Sequence, residues 1–148
     1  EGTFRPELIN RFDAVVLWGA QYYAEKLPVG TWLVWDKRFA NGKAWLSDGE
    51  LAWMKGGTGV YIFSLTSQGM IRPERVEHPT QKAVALIGWC IEKSKAGMIV
   101  LDPFLGSGTT MVACEQLHRQ CRAIEIEPKY CAVTLERMAG MGLEPKRV

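Results

Sequence analysis

The sequence predicts an α/β fold, built as half of a doubly wound, mostly parallel twisted sheet with helices on both faces. Three observations predict it. The second half of the chain reads as strand, glycine loop, helix, strand, helix. A right-handed crossover in such a series places the two strands parallel. Met98-Ile99-Val100-Leu101 is a continuous apolar run, as expected for a strand covered on both faces.

In the first half, short apolar runs alternate with turn residues. Residues 14–18 read as a strand ending at Gly19, and 20–27 as a short helix stopped by Pro28. Residues 31–35 form a second strand that ends at Asp36. Residues 38–50 are polar, contain Gly42 and Gly49, and read as a loop. Residues 59–65 form a third strand, bounded by Gly56-Gly57 and Gly69. In the second half, 81–95 reads as a helix with Val84, Ile87 and Ile91 at i, i+3, i+7. The apolar run at 98–101 leads into Asp102-Pro103-Phe104-Leu105-Gly106-Ser107-Gly108. A helix over 109–118 follows, with Ala113 and Leu117 on one face, and then a strand over 120–126. Pro128 opens a last helix to about Ala139, because a first-turn proline forfeits no hydrogen bond. Its apolar face is read as Cys131, Leu135 and Met138.

Composition narrows the function classes. The 148 residues fit one domain, with 47% hydrophobic and 23% charged residues. A chain of this length buries about 70% of its unfolded surface and needs no disulfide or metal staple. Eighteen basic and 16 acidic residues give a net charge of +2, too little to announce a nucleic-acid binder by charge alone. No apolar run reaches the roughly 18 residues that span a bilayer. No pair among Cys90, Cys114, Cys121 and Cys131 has the C-x-x-C spacing of a zinc or redox site, so they read as reduced core residues in a cytosolic protein. The six tryptophans read mostly as core rather than as base-stacking platforms. The first residue is Glu1 rather than Met, and the expectation is a piece of a longer chain.

The glycine loop lies at the carboxyl end of its strand, where α/β sheets bind ligands. A phosphate-binding P-loop needs a lysine after its last glycine, and here Gly106-Ser107-Gly108-Thr109-Thr110 has none. The dinucleotide pattern G-x-G-x-x-G fits at 106 and 108 but meets Met111 at its third glycine. Asp102 decides between the remaining ligands. A carboxylate there would repel a pyrophosphate and favour a cation or a ligand rich in donors. S-adenosylmethionine, with an ammonium and a sulfonium, suits it. The alternative for Asp102 is a turn-forming role before Pro103. Glu125 ends the next strand, about 20 residues after Gly106, where an acid accepts hydrogen bonds from ribose hydroxyls. Its alternative is to favour the following helix N-terminus, a role for which Glu127 is better placed.

These residues carry a resemblance. Residues 102–110 resemble motif I of the DNA amino-methyltransferases, which methylate adenine at N6 or cytosine at N4. His78-Pro79-Thr80-Gln81-Lys82 resembles their motif X, and Ala123-Ile124-Glu125 with Pro128 and Tyr130 resembles motif II. Motif X directly before motif I is the permuted β-type order, with the catalytic half preceding the cofactor half. Residues 12–19 and 32–37 resemble, more loosely, the segments that follow the catalytic motif.

The resemblance implies a Rossmann-like class I methyltransferase fold, N-terminally incomplete. Residues 1–77 would form trailing strands and a short recognition loop, and 78–148 the cofactor half. It implies S-adenosylmethionine as the cofactor. Asp102, Phe104, Gly106, Ser107, Gly108, Thr109 and Thr110 would line its site, and Glu125 would hold its ribose. Thr80 and Lys82 would take its carboxylate; Thr80 also reads as a helix N-cap. It implies double-stranded DNA as substrate and a cytoplasmic, bacterial or phage-encoded enzyme.

One departure matters. Such enzymes hold the flipped base with an Asp/Asn/Ser-Pro-Pro-aromatic tetrapeptide. No such tetrapeptide occurs in this sequence, so no catalytic residue is assigned; in the β-type order it would lie before Glu1. Lys37, Arg38, Arg72 and Arg75, with Lys43, are candidates for phosphate contacts or ordinary solvated surface. Only the short stretch 66–77 separates the third strand from motif X, which leaves room for a short target or for help from a second subunit in a homodimer. The expected function is adenine N6 methylation, with cytosine N4 second. A cofactor-binding part without turnover is the rival reading, and RNA or protein methylation a remoter one.

Overall fold

The computed structural model describes residues 5–38, 47–65 and 81–144. Thr80, Arg72, Arg75 and Lys43 lie outside the described residues. The chain forms two compact units, Glu1–Ile71 with Cys90–Ala96, and Arg72–Trp89 with Gly97–Val148.

The first unit holds a three-stranded sheet of β1 (Val16–Trp18), β2 (Gly30–Asp36) and β3 (Gly49–Ser64), in the order β1-β3-β2. β1 runs antiparallel to β3, with Leu17 opposite Trp53. β2 meets β3 twice. Asp36 pairs with Gly49 and Thr31 with Met54, so this stretch runs against β2. Trp32 pairs with Val60 and Asp36 with Ser64, so the second stretch runs with it. The two stretches of β3 therefore flank β2 on opposite sides. Gly56 (φ 82°) and Gly57 (φ 66°) make the turn between them, in the left-handed region that glycine adopts without penalty. Thr31 Oγ1 donates to the Gly56 carbonyl at 2.8 Å and ties the turn to the start of β2.

The sheet of this unit is thus mixed, where the sequence predicts mostly parallel strands. The antiparallel pairs all belong to the first stretch of β3, which runs against both β1 and β2, so β1 and β2 themselves run parallel. Residues 20–27 form two 3-10 turns, Ala20–Tyr22 and Ala24–Lys26, instead of the expected helix. So short a segment ending at a proline does not sustain an α-helix by itself. The expected loop over 38–50 also ends early, since β3 already starts at Gly49.

Ile9, Ala20 and Trp53 form one core cluster of this unit, packed by Val15, Leu17, Tyr23, Leu27 and Trp32. Trp35 and Trp53 are buried, and Trp18, Trp32 and Trp89 are half-buried, so the described tryptophans serve packing. The buried indoles have acceptors: Trp53 Nε1 donates to the Pro28 carbonyl at 3.1 Å, and Trp35 Nε1 to the Leu65 carbonyl at 2.7 Å. Trp53→Phe removes the first of these bonds and part of the buried ring. It is expected to cost about 1–2 kcal/mol in urea unfolding; an unchanged midpoint would refute the role given to the indole.

The second unit holds the first six residues of α1 (Val84–Lys93), then β4 (Ile99–Asp102), α2 (Thr109–Gln116), β5 (Gln120–Ala123) and α3 (Pro128–Gly140). β4 and β5 are parallel, with Ile99 opposite Gln120 and Asp102 opposite Ala123. This is the crossover the sequence predicts, and α2 packs against β5. Two details differ. Ile99 and Leu101 are 62% and 48% exposed while Val100 is half-buried, so β4 is not covered on both faces. On α3, Leu135 is 52% exposed and the buried pair is Thr134 and Met138, because Thr134 turns toward the glycine loop. None of the four cysteines is in a disulfide; Cys90 and Cys114 are buried, Cys121 and Cys131 half-buried.

Candidate cofactor site at the β4 and β5 ends

β4 delivers Asp102 to the mouth of the loop. Asp102 Oδ1 accepts the Phe104 N–H at 2.9 Å, and Oδ2 accepts the Thr110 hydroxyl at 2.5 Å. The first contact is an Asx turn, which bends the chain out of the strand. The second pins the start of α2 to the strand end. The turn-forming role considered for Asp102 is therefore realised in its geometry.

The loop then runs along β5. The Ile124 N–H donates to the Asp102 carbonyl at 2.9 Å, and the Leu105 N–H to the Ile124 carbonyl at 3.1 Å, extending the β4–β5 ladder past both strand ends. Gly106 (φ 59°) and Gly108 (φ 85°) are both left-handed. At Gly108 a side chain is also excluded by space, since a Cβ would stand 2.9 Å from Thr134 Cγ2 and Oγ1. The Gly108 carbonyl accepts the Val112 N–H at 3.1 Å, so the second glycine opens α2.

Glu125 spans the gap between the strand end and the last helix. Its Oε2 accepts the Gly106 N–H at 2.7 Å, and its Oε1 the Glu127 N–H at 2.8 Å. One carboxylate thereby fixes both the glycine loop and the start of α3. Glu127 itself, although at the N-cap of α3, makes no side-chain cap bond. Helix entry is served by Glu125, against the expectation that Glu127 suits that role better. A carboxylate oxygen can accept more than one hydrogen bond, so a residue that shapes the loop can also receive a ligand donor.

The expected site residues separate into two groups. Ser107, Gly108, Thr109 and Thr110 are buried, and their contacts serve the loop itself. Ser107 Oγ donates to Gln81 Oε1 at 2.8 Å, a buried bond joining the motif X segment to motif I. Asp102, Gly106 and Glu125 are half-buried and Phe104 is 87% exposed, so these four keep solvent-accessible surface near the strand ends. Lys82 is half-buried just before α1. Gln81, Thr134 and Arg137 contact the loop although no role is assigned to them from the sequence. Gln81 lies inside a motif that could have flagged it, while Thr134 and Arg137 carry no linear signal.

Lys37 and Arg38, candidates for phosphate contacts, lie in the first unit. Lys37 Nζ stands 3.3 Å from Glu50 Oε1. Arg38 holds Asp36 through Nε at 2.9 Å and Nη2 at 3.0 Å, and this hydrogen bonding keeps the Asp36 carboxyl below its usual range. Both cations are therefore paired with carboxylates.

Residues 21–136 match the family of N6/N4 DNA methylases. Type II methyltransferase M.HpaI of Haemophilus parainfluenzae is 36% identical over 86 residues, 57% of this chain and 27% of the relative. Type II methyltransferase M.SmaI of Serratia marcescens is 49% identical over 45 residues, 30% of this chain and 15% of the relative. The matched stretches thus cover 27% and 15% of these relatives, well short of their full length. Among solved structures, that of the M1.HpyAVI–SAM complex matches with a TM-score of 0.62 at 26% identity, covering 84% of this chain and 74% of that one. TTHA0409 of Thermus thermophilus matches with a TM-score of 0.55 at 18% identity, over 86% and 68% of the two chains, a likeness of fold alone. With the family matched across more than three quarters of its residues, the chain belongs to the N6/N4 DNA methylases.

Proposed function

We propose that the chain carries the S-adenosylmethionine site of a DNA amino-methyltransferase with a Rossmann-like class I fold. The enzyme it serves would methylate an exocyclic amino group of double-stranded DNA, adenine N6 first and cytosine N4 second. The observation that carries this reading is the Gly106–Glu125 contact. It sets a left-handed glycine, bare of side chain, beside a carboxylate able to accept several hydrogen bonds, which suits a nucleoside whose ribose presents two hydroxyls. Asp102 adds negative charge beside the same loop, which suits the cationic methionine end.

Bound there, the cofactor supplies an electrophilic methyl group. The protein's share is orientation. Glu125 orients the ribose, the 106–108 backbone excludes side chains from the ligand, and Phe104 offers an exposed ring at the mouth. Thr80 and Lys82 are proposed for the ligand carboxylate. Lys37, Arg38, Arg72 and Arg75 are proposed for phosphates, Lys37 and Arg38 while sharing their charge with Glu50 and Asp36. Turnover by positioning alone needs no metal and no covalent intermediate.

A second reading rests on one observation, the absence of the Pro-Pro-aromatic tetrapeptide from the sequence. In that reading the chain binds the cofactor without turnover. Two measurements separate the readings. Calorimetry with S-adenosylmethionine is expected to show one site per chain; no heat at all would sink both. Incubation with labelled cofactor and unmethylated duplex, followed by nucleoside analysis, is expected to yield N6-methyladenine if turnover occurs. Labelled N4-methylcytosine would reverse the base preference, and binding without label would favour the second reading.

A further inference from the structure

The glycine loop is gripped by four residues distant from it in the sequence. Glu125 takes the Gly106 N–H and Gln81 takes the Ser107 hydroxyl. The other two grips come from α3. Thr134 Oγ1 donates to the Gly106 carbonyl at 3.3 Å. Arg137 Nη1 donates to the Ser107 carbonyl at 2.7 Å and reaches Thr109 Oγ1 at 3.5 Å.

Thr134 and Arg137 are three positions apart, so they share a face of the helix. That face is polar close to the buried Met138, where periodicity would place another apolar residue. A guanidinium donating to a main-chain carbonyl makes a charge-assisted bond, shorter and roughly twice as strong as a neutral one. The carbonyl it holds lies between the two left-handed glycines. Space points the same way, since α3 approaches Gly108 so closely that a Cβ would collide with Thr134.

We infer that Arg137 is a positioning residue for the cofactor loop. Through the Ser107 carbonyl it fixes the turn from Gly106 to Gly108, and so the direction in which the Gly106 backbone and the Glu125 carboxylate face a ligand. Arg137 acts on the loop and need not touch the ligand. The inference rests on the reading of this loop as the S-adenosylmethionine site.

The test uses the 148-residue chain as wild type, Arg137→Ala and Arg137→Lys, with two readouts. One is calorimetric titration with S-adenosylhomocysteine. The other is hydrogen exchange at the Gly108 and Val112 amides, which bond to the Leu105 and Gly108 carbonyls. Arg137→Ala is expected to weaken binding about tenfold, the scale of one hydrogen bond to a charged group. It should also speed exchange at both amides, and Arg137→Lys should recover part of each effect. Equal affinity of wild type and Arg137→Ala overturns the inference, as does weaker binding with unchanged exchange. If Arg137→Ala does not fold, the same comparison is made with Arg137→Lys, where a smaller loss in both readouts is expected and no change overturns the inference. If wild type itself does not bind, the cofactor reading falls, and exchange alone decides whether Arg137 holds the loop.

Discussion

Gly108→Ala is expected to abolish S-adenosylhomocysteine binding and to lower stability by about 2–5 kcal/mol, the sum of a strain cost and an overpacking cost. A non-glycine residue at φ 85° is strained by about 1–2 kcal/mol. The added methyl would also stand 2.9 Å from both Thr134 side-chain atoms, and pushing them away costs about 1–3 kcal/mol more. Relaxing that clash moves Thr134 off the Gly106 carbonyl, so the loop loses its shape along with its space. Thermal unfolding and calorimetry check both halves. A companion variant, Gly108→Ala with Thr134→Ser, removes Cγ2 but keeps the hydroxyl, and is expected to regain part of the overpacking cost and none of the strain. A Gly108→Ala protein that binds like wild type would refute the role of this glycine.

Asp102→Ala is the second large effect, with an expected loss of cofactor affinity of a hundredfold or more. The variant forfeits two hydrogen bonds to a carboxylate, each worth about 1.5–3 kcal/mol, and roughly every 1.4 kcal/mol is tenfold. Both bonds shape the site: one makes the turn at Phe104, the other anchors Thr110. Asp102→Asn separates shape from charge. Its amide oxygen can keep the Phe104 N–H, and the Thr110 hydroxyl can reverse to accept from the amide nitrogen. A cationic ligand should still bind Asp102→Asn about tenfold less tightly than wild type. Equal affinity would leave Asp102 as a turn former and remove it from the ligand contacts.

The pattern of the loop was legible because it is written in local grammar. An acid ending a strand, two glycines two apart and a second acid at the next strand's end are readable without coordinates. The order of elements from α1 to α3 was legible for the same reason, and their bounds shift by only a few positions. What the linear pattern hid depends on distant partners. Thr134 and Arg137 meet main-chain carbonyls far back in the chain, at Gly106 and Ser107, and a carbonyl has no sequence signature. The opening of β3 was hidden by polarity, because Asp48, Gly49 and Glu50 read as a turn until pairing with β2 supplies their ladder. The helix expected after Gly19 failed because propensity over so short a stretch does not outweigh the cost of nucleation.

The doubled pairing of β2 has a kinetic consequence. All its ladder partners lie downstream within one strand, with Gly49 opposite Asp36 the nearest in sequence and Val60 opposite Trp32 among the farthest. Loop-closure entropy grows only with the logarithm of loop length, so both flanks of β2 close at nearly the same cost. Once the Gly56-Gly57 turn is made, zipping one flank brings the other within reach. Long-range pairings are the slow part of sheet assembly. Here β2 belongs to one continuous segment of chain, Gly30 to Ser64, and can find both of its neighbours without waiting for the glycine loop to form.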